Sequence, residues 1–443
     1  MSRSIGTSAD SWLQWTENLF TAGFQRISVL RGNCFYALAD QFAASVTNFL
    51  TGVIIGRACT KEEFGLYLLC FNIVIFVIDF QTSLVSQPYT IFTKKYEKTA
   101  LDIYTANTLV QELILCVFLI LLLLIFSMLL PENLVPRGLI PVLGALAIAL
   151  SLIMFKEFIR RLSFARFFMK AAFFVDMAVA FLQLTGLFIL YENHILSAKN
   201  AFGISGLACF LASLSWLILN RKWFKFTFTG FWQDLRKNWL FGKWLFLSSV
   251  FWSLSMTIYP WFLAFFHGTV AVGVWGACWG VASIVNPLIL GVQNFLGPKI
   301  VHGLAEQGLD GLAKRVRNDS LLFLLFLFPF AVALMIWGGN LVTLFYGSKY
   351  SGNDSIIFLL ALNIIVISAA FPFSFGLLAM EKVKVYCLIN LVPLLITFSC
   401  GIFLVKKFSV LGVACSLLLG FSVTAFLMGR YFFKSVNMAV SHV

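Results

Sequence analysis

The sequence predicts an all-α polytopic membrane protein, with about 12 transmembrane helices in two six-helix lobes related by a parallel repeat around a central cleft. Three observations predict this. Of the 443 residues, 60% are hydrophobic and only 12% are charged, and 50 are phenylalanine, a composition outside that of soluble domains. Long apolar runs alternate with short polar connectors along the chain, and most of the runs reach the roughly 20 residues that cross about 30 Å of hydrocarbon as a helix. Two local sequence matches between the halves recur at nearly one offset.

Residues 1–31 lack the continuous apolar run of a signal peptide, so no cleaved leader is expected. Trp12, Trp15, Leu19, Phe20, Phe24 and Ile27 recur at roughly helical spacing ahead of Arg31, which predicts an interfacial helix lying on the membrane. The N-lobe, residues 32–219, opens on a hairpin of helices over 33–56 and 64–92 joined by RACTKEE, Arg57 to Glu63. Four more helices are expected at about 107–130, 139–159, 172–190 and 201–219.

The stretch 220–243 mixes Lys and Arg with Trp and Phe, as a lipid headgroup layer attracts, and is expected to be an interfacial linker on the cytoplasmic face. The C-lobe, residues 244–432, carries helices at about 244–266, 269–296, 320–338, 355–380, 385–404 and 410–432, with a tail over 433–443.

Most of the 32 Lys and Arg residues fall in one alternate set of connectors, the set containing both termini. By the positive-inside rule both termini are then cytoplasmic. The formal charge of +13 is explained by this topology, and no nucleic-acid partner is expected. The nine cysteines form no C-x-x-C pair, and the four histidines have no ligand spacing, so no disulfide framework, metal site or cofactor is expected. P-loop, GxSxG and HExxH motifs are missing, which argues against an enzyme or an ATP-driven pump.

EFGLYLLCFNIV (Glu63 to Val74) matches AVGVWGACWGVA (Ala271 to Ala282) with Gly65 and Gly273 in register, an offset of 208 residues. GLAC (Gly206 to Cys209) matches GVAC (Gly412 to Cys415) at an offset of 206. Because each unit holds an even number of helices, both enter the membrane from the same side, the arrangement of parallel repeats that rock for alternating access.

Asp40, with Tyr36, Thr47 and Thr51, marks a polar face on the first helix, and Gln41 and Asn48 lie on the adjoining stripe. Asp79, with Asn72, Ser83 and Ser86, marks one on the second. An acid within a membrane helix costs roughly 2.5–3.5 kcal/mol to insert and persists where protein or water solvates it. Asp40 and Asp79 are therefore candidate proton or cation coupling groups, the plainer reading being acids hydrogen-bonded to fix helix packing. In the C-lobe, Trp275, Trp279, Ser283, Asn286 and Gln293 align on one face of the eighth helix, while Tyr259 and Pro260 are expected to interrupt the seventh. These aromatic and amide groups suit sugar rings and hydroxyls, and suit helix packing equally. Arg160 and Arg161 form a candidate headgroup site, since paired guanidinium groups grip phosphate, although inner-face anchoring also accounts for them.

The chain resembles the polysaccharide transporters of the multidrug, oligosaccharidyl-lipid and polysaccharide (MOP) exporter superfamily, and in type the Wzx-like flippase. The resemblance rests on IIGRACTKEEFGLYLL (Ile54 to Leu69), VGVWGACWGVASIVNPL (Val272 to Leu288) with Gly297 and Pro298, LVTLFYGSKY (Leu341 to Tyr350) and SVLGVACSLLLG (Ser409 to Gly420). It implies flipping of a lipid-linked oligosaccharide from the inner to the outer leaflet of a bacterial plasma membrane for surface polysaccharide biosynthesis. The bilayer, that substrate and other polysaccharide assembly proteins are the implied partners. Two features depart from many relatives: twelve helices instead of fourteen, and acids in one lobe with no charge in the helix cores of the other, where relatives often place basic residues. A cation-coupled multidrug extruder of the same superfamily is the alternative, and it fits the acidic N-lobe.

Overall fold

The computed structural model describes residues 35–129, 131, 135–227 and 229–440. The interfacial helix expected at 1–31 lies outside these residues. The N-lobe holds α1 (Phe35–Ala58), α2 (Lys61–Lys95), α3 (Lys98–Leu129), α4 (Leu139–Ala165), α5 (Met169–Glu192) and α6 (Ala198–Leu219). The C-lobe holds α7 (231–267), α8 (269–307), α9 (309–346), α10 (Asp354–Ala379), α11 (383–408) and α12 (410–440). Thr60 starts α2 by accepting from the Glu63 amide, and Ser197 starts α6 by accepting from the Asn200 amide, so each supplies one of the acceptors that a helix start lacks.

Three C-lobe connections shrink to one residue. Gly268 (φ 77°), Gly308 (φ 66°) and Ser409 (φ 52°) each leave helical geometry between two helical runs. Left-handed backbone is natural for glycine and rare for serine. At Ser409 the chain reverses tightly enough that the α-carbon of Gly412 faces the carbonyl of Leu404.

Several features differ from the sequence expectation, among them the starts of α3 at Lys98 and of α7 at 231, inside the expected linker. The segment 297–319, expected as a connector, is helical on both sides of Gly308, and Leu312 and Val316, four residues apart, are fully buried on its inner face. Lys299 and Asp319 pair there at 2.5 Å, so the C-lobe helices do carry charges near this end. Pro260 does not interrupt α7. The helix runs through it, and the buried Tyr259 hydroxyl is shared with Thr397 (2.9 Å) and Ser416 (2.7 Å). Finally, α4 continues past 159 to Ala165, where its charged side chains find partners within the lobe.

The repeat is visible in the packing. α3 packs on α4 as α9 does on α10, α4 on α6 as α10 on α12, and α5 on α6 as α11 on α12. The lobes meet along α2 and α8, the second helix of each. Gly65 of α2 sits against the backbone carbonyl of Thr269, and Gly273 of α8 against that of Lys61. Gly276 lies against Leu68, which is its own counterpart at the offset of 208. A local two-fold axis therefore passes between α2 and α8. Both are membrane helices in a multi-pass protein, and glycine is what allows backbones to approach this closely there.

One end of the bundle collects the connector 59–60, the α5–α6 and α9–α10 turns and the reversal at Ser409. Ala198 N–H donates to Glu63 at 2.8 Å, Cys59 faces the Leu196 carbonyl, and His267 meets the Val405 carbonyl at 2.8 Å. We call this the hairpin end. The other, basic end carries Lys94, Lys95, Lys382 and the start of α7.

Candidate functional site

The hairpin end is sealed between the lobes. Arg57 donates to the Leu344 carbonyl at 3.3 Å, and Lys349 donates to the carbonyls of Arg57 (3.2 Å) and Cys59. Phe64 packs on Tyr346 and Tyr350, and Tyr346 fills the notch left by Gly56 and Gly280. A cavity of about 1000 Å³ lies on the basic-end side of this seal. Its wall comes from α7, α8, α10, α11 and α12, with Thr82, Ser83 and Gln87 of α2 closing one side. No described residue of that wall is charged.

Where α2 meets the cavity its backbone widens into a π-helical turn over Thr82–Ser86, a bulge of the kind often found at functional sites. Ser83 is hydrogen-bonded to Ser249 of α7 at 3.1 Å across the lobe boundary. Behind the bulge, Gln81 donates to the fully buried Glu112 and to the Met154 carbonyl, both at 2.8 Å, so Gln81 ties α2 to α3 and α4.

The N-lobe interior holds an ion cluster. Arg160 of α4 contacts Asp40 of α1 at 2.6 Å, Asp176 of α5 at 2.9 Å and Glu157 at 2.9 Å. Lys156 reaches Glu157 and Asp176, both at 3.3 Å, and Arg161 reaches Glu157 at 3.3 Å. Asp40 is fully buried, and its Oδ1 has no hydrogen-bond partner. Three carboxylates thus face two partly buried cations, Lys156 and Arg160, with the half-exposed Arg161 as the third. Buried charges are tolerated when paired in this way, and the surplus acceptor positions on Asp40 and Asp176 can take a proton or a small cation.

The structure therefore brings together Asp40 and Arg160, which the sequence analysis placed in different roles. Arg160 is engaged by carboxylates, while Arg161 beside it remains partly accessible. Asp79 lies at the boundary between lobes, facing Ser253 of α7 and within electrostatic reach of Arg161. It stands one turn from Ser83, whose hydroxyl donates to the Asp79 backbone carbonyl at 2.8 Å.

Of the polar candidates, Trp279 and Asn286 line the cavity. Trp275 is buried behind Trp279 and stacks on it at 5.4 Å. Gln41, Asn48 and Asn72 are not on this wall, and the Asn72 amide donates back to Leu68 at 2.7 Å. The Gln293 side chain lies outside the described ones. Sequence reasoning missed Asp176, Glu157 and Glu112. Asp176 bears the signal that singled out Asp40, a lone acid in an apolar helix, and Lys156, Glu157, Arg160 and Arg161 show helical i,i+3 and i,i+4 charge spacing. Asn363 was missed too, being an isolated amide within an apolar run.

A family model described as "Polysaccharide biosynthesis protein" matches residues 30–293, more than half of the chain. The chain belongs to that family. None of the curated proteins matches the sequence significantly. Among solved structures, the chain is similar to an inward-facing multidrug resistance MATE family transporter of the MOP superfamily, with TM-score 0.73 and 16% identity over 89% of this chain and 95% of that one. It is also similar to a MOP superfamily transporter from Pyrococcus furiosus described as having a binding pocket of reverse polarity, with TM-score 0.65 and 14% identity over 92% of this chain and 95% of that one. An outward-facing MATE transporter aligns with TM-score 0.63 and 14% identity over 94% and 96%.

This member of the polysaccharide biosynthesis family is accordingly a multi-pass membrane protein with the fold of those MOP superfamily transporters. In it, the matched region includes all of the N-lobe ion cluster and the α2–α8 crossing.

Proposed function

We propose that the protein flips a lipid-linked oligosaccharide from the inner to the outer leaflet of a bacterial plasma membrane, for surface polysaccharide biosynthesis, by alternating access. The observation that carries this reading is the large uncharged cavity on the basic-end side of a sealed lobe boundary. With the basic end cytoplasmic, as the distribution of Lys and Arg supports, the cavity stands on the side where the substrate is made.

In this reading the lobes rock about the α2–α8 crossing. The Arg57, Lys349 and Tyr346 contacts break, contacts at the basic end form, and the cavity passes to the outer side. Asp40, Asp176 and Arg160 hold the coupling proton or cation, because a cluster with surplus acceptors changes its pairing when one is bound. Asp79 and Arg161 relay that change to the α2 bulge. Arg161, with other cations of the basic end, attracts the anionic headgroup.

A cation-coupled drug extruder is the second reading, favoured by the acidic N-lobe. The cavity wall, however, offers a cationic drug no carboxylate among its described residues. The two separate in cells lacking the gene. Loss of surface polysaccharide with lipid-linked oligosaccharide accumulating in the inner leaflet supports the flippase. Unchanged levels of both, with raised sensitivity to cationic drugs, support the extruder.

A further inference from the structure

We infer that the C-lobe cavity is a selectivity site for neutral glycan, recognised through Asn363, and that it discriminates against acidic sugars. This rests on the flippase reading for its choice of ligand. The geometric basis is independent of that reading.

Asn363 of α10 lies on the cavity wall and is 5% exposed, yet neither its amide nitrogen nor its carbonyl oxygen has a partner. Buried polar atoms are nearly always satisfied, so an amide with both donor and acceptor open beside a cavity is a group prepared for a ligand. Four hydroxyls of the same wall already have acceptors for their protons. Ser249, Ser283, Ser374 and Thr424 all donate to carbonyls of their own helices. A ligand that presents a donor and an acceptor side by side, such as an acetamido group or a pair of adjacent hydroxyls, completes Asn363 at both atoms.

The rest of the wall suits the same ligand. Asn286 and Asn390 add two further amides, and Trp279, held by its stack on Trp275, offers a flat apolar face to a sugar ring. The volume is in the range of sites that enclose a whole small ligand. A uronate or sialate carboxylate would find no cation on the described wall and would lose hydration without a counter-charge. The diphosphate of a lipid carrier must then stay outside the cavity, toward the basic end.

The test uses the full chain in lipid nanodiscs and two farnesyl diphosphate-linked disaccharides. One carries two N-acetylglucosamines, and in the other the outer sugar is glucuronate. Binding is read from tryptophan fluorescence. The neutral probe should bind about tenfold more tightly than the acidic one, and Asn363→Leu should weaken it about tenfold by leaving the ligand's polar pair unmatched. Binding of farnesyl diphosphate alone should not change. Asn286→Ala, at an exposed wall position and so safe for folding, should weaken the neutral probe about threefold.

Equal affinity for the two disaccharides, or neutral-probe binding untouched in both variants, overturns the inference. Preference for the neutral probe without its flipping in proteoliposomes would overturn the flippase reading and leave this one standing. Flipping of both probes with equal affinity would do the reverse.

Discussion

Gly65 and Gly273 each pack against the backbone carbonyl of the residue four positions before the other, Thr269 and Lys61. The contact is reciprocal because the two helices are copies related by the local two-fold axis, and it holds the hairpin end shut. A β-carbon at either position would lie inside van der Waals contact of a carbonyl that cannot move without its helix. Gly65→Val and Gly273→Val should each cost the sealed arrangement about 1–3 kcal/mol, as overpacking does. Cys59, buried at that end, reports the opening. In a background whose other cysteines are serine, its modification by a membrane-impermeant maleimide should rise about tenfold, and an unchanged rate would show that the glycines are not the closure.

Cys59 also predicts a pH dependence. Burial, with a smaller contribution from Glu63, pushes its thiol up to about 11 from an ordinary 9.0. The sealed state therefore holds this proton more tightly than an open one. Its contribution to closure is complete below pH 9 and is lost as pH rises toward about 11. Alkylation of Cys59 by iodoacetamide should keep accelerating beyond pH 9, whereas a plateau there would mean the thiol is already solvated.

Within the ion cluster, loss of the central cation should be worse than loss of one anion. Arg160→Met leaves Asp40 and Asp176 without their shared guanidinium and should destabilise the protein by about 3–5 kcal/mol. Asp40→Asn should cost less, and adding it to Arg160→Met should recover part of the loss. Thermal unfolding of the three variants in one detergent measures this. Additive effects would show that Asp40 and Arg160 are not coupled.

The start of α7 docks on the N-lobe through Lys237, whose ammonium lies 4.1 Å from the Phe92 ring and 4.7 Å from that of Tyr96. Nearby, Asp234 accepts from Asn107 at 2.8 Å, and Asn238 accepts from Tyr104 at 2.8 Å. Lys237→Gln should weaken this docking by about 0.5–2 kcal/mol while Lys237→Arg retains most of it. Limited proteolysis across residues 220–230 should be faster in the first variant alone.

The membrane helices were legible because apolar runs of this length have one stable outcome in a bilayer. Their ends were less so. The single-residue reversals at Gly308 and Ser409 carry little turn signal, and amphipathic extensions such as 309–319 read as polar connectors until their inner faces are seen. The Gly65 and Gly273 match was visible as a repeat, but nothing in the letters says that the two glycines touch. The acids show the same limit. Asp40 could be picked out from one helix, whereas its pairing with Arg160 and Asp176 requires α1, α4 and α5 to be placed together. From sequence, Arg160 reads as a candidate headgroup ligand or an inner-face anchor, because its helix is expected to end before it.

The most direct test of the central claim is flipping itself. Purified protein is reconstituted into liposomes with a fluorescent polyprenyl diphosphate-linked oligosaccharide, and its movement between leaflets is followed by quenching from outside. The account predicts protein-dependent translocation that is abolished by cross-linking the hairpin-end seal and slowed by Asp40→Asn in a pH- or cation-dependent manner. Translocation no faster than in protein-free liposomes, with the protein folded and able to transport organic cations, would contradict it.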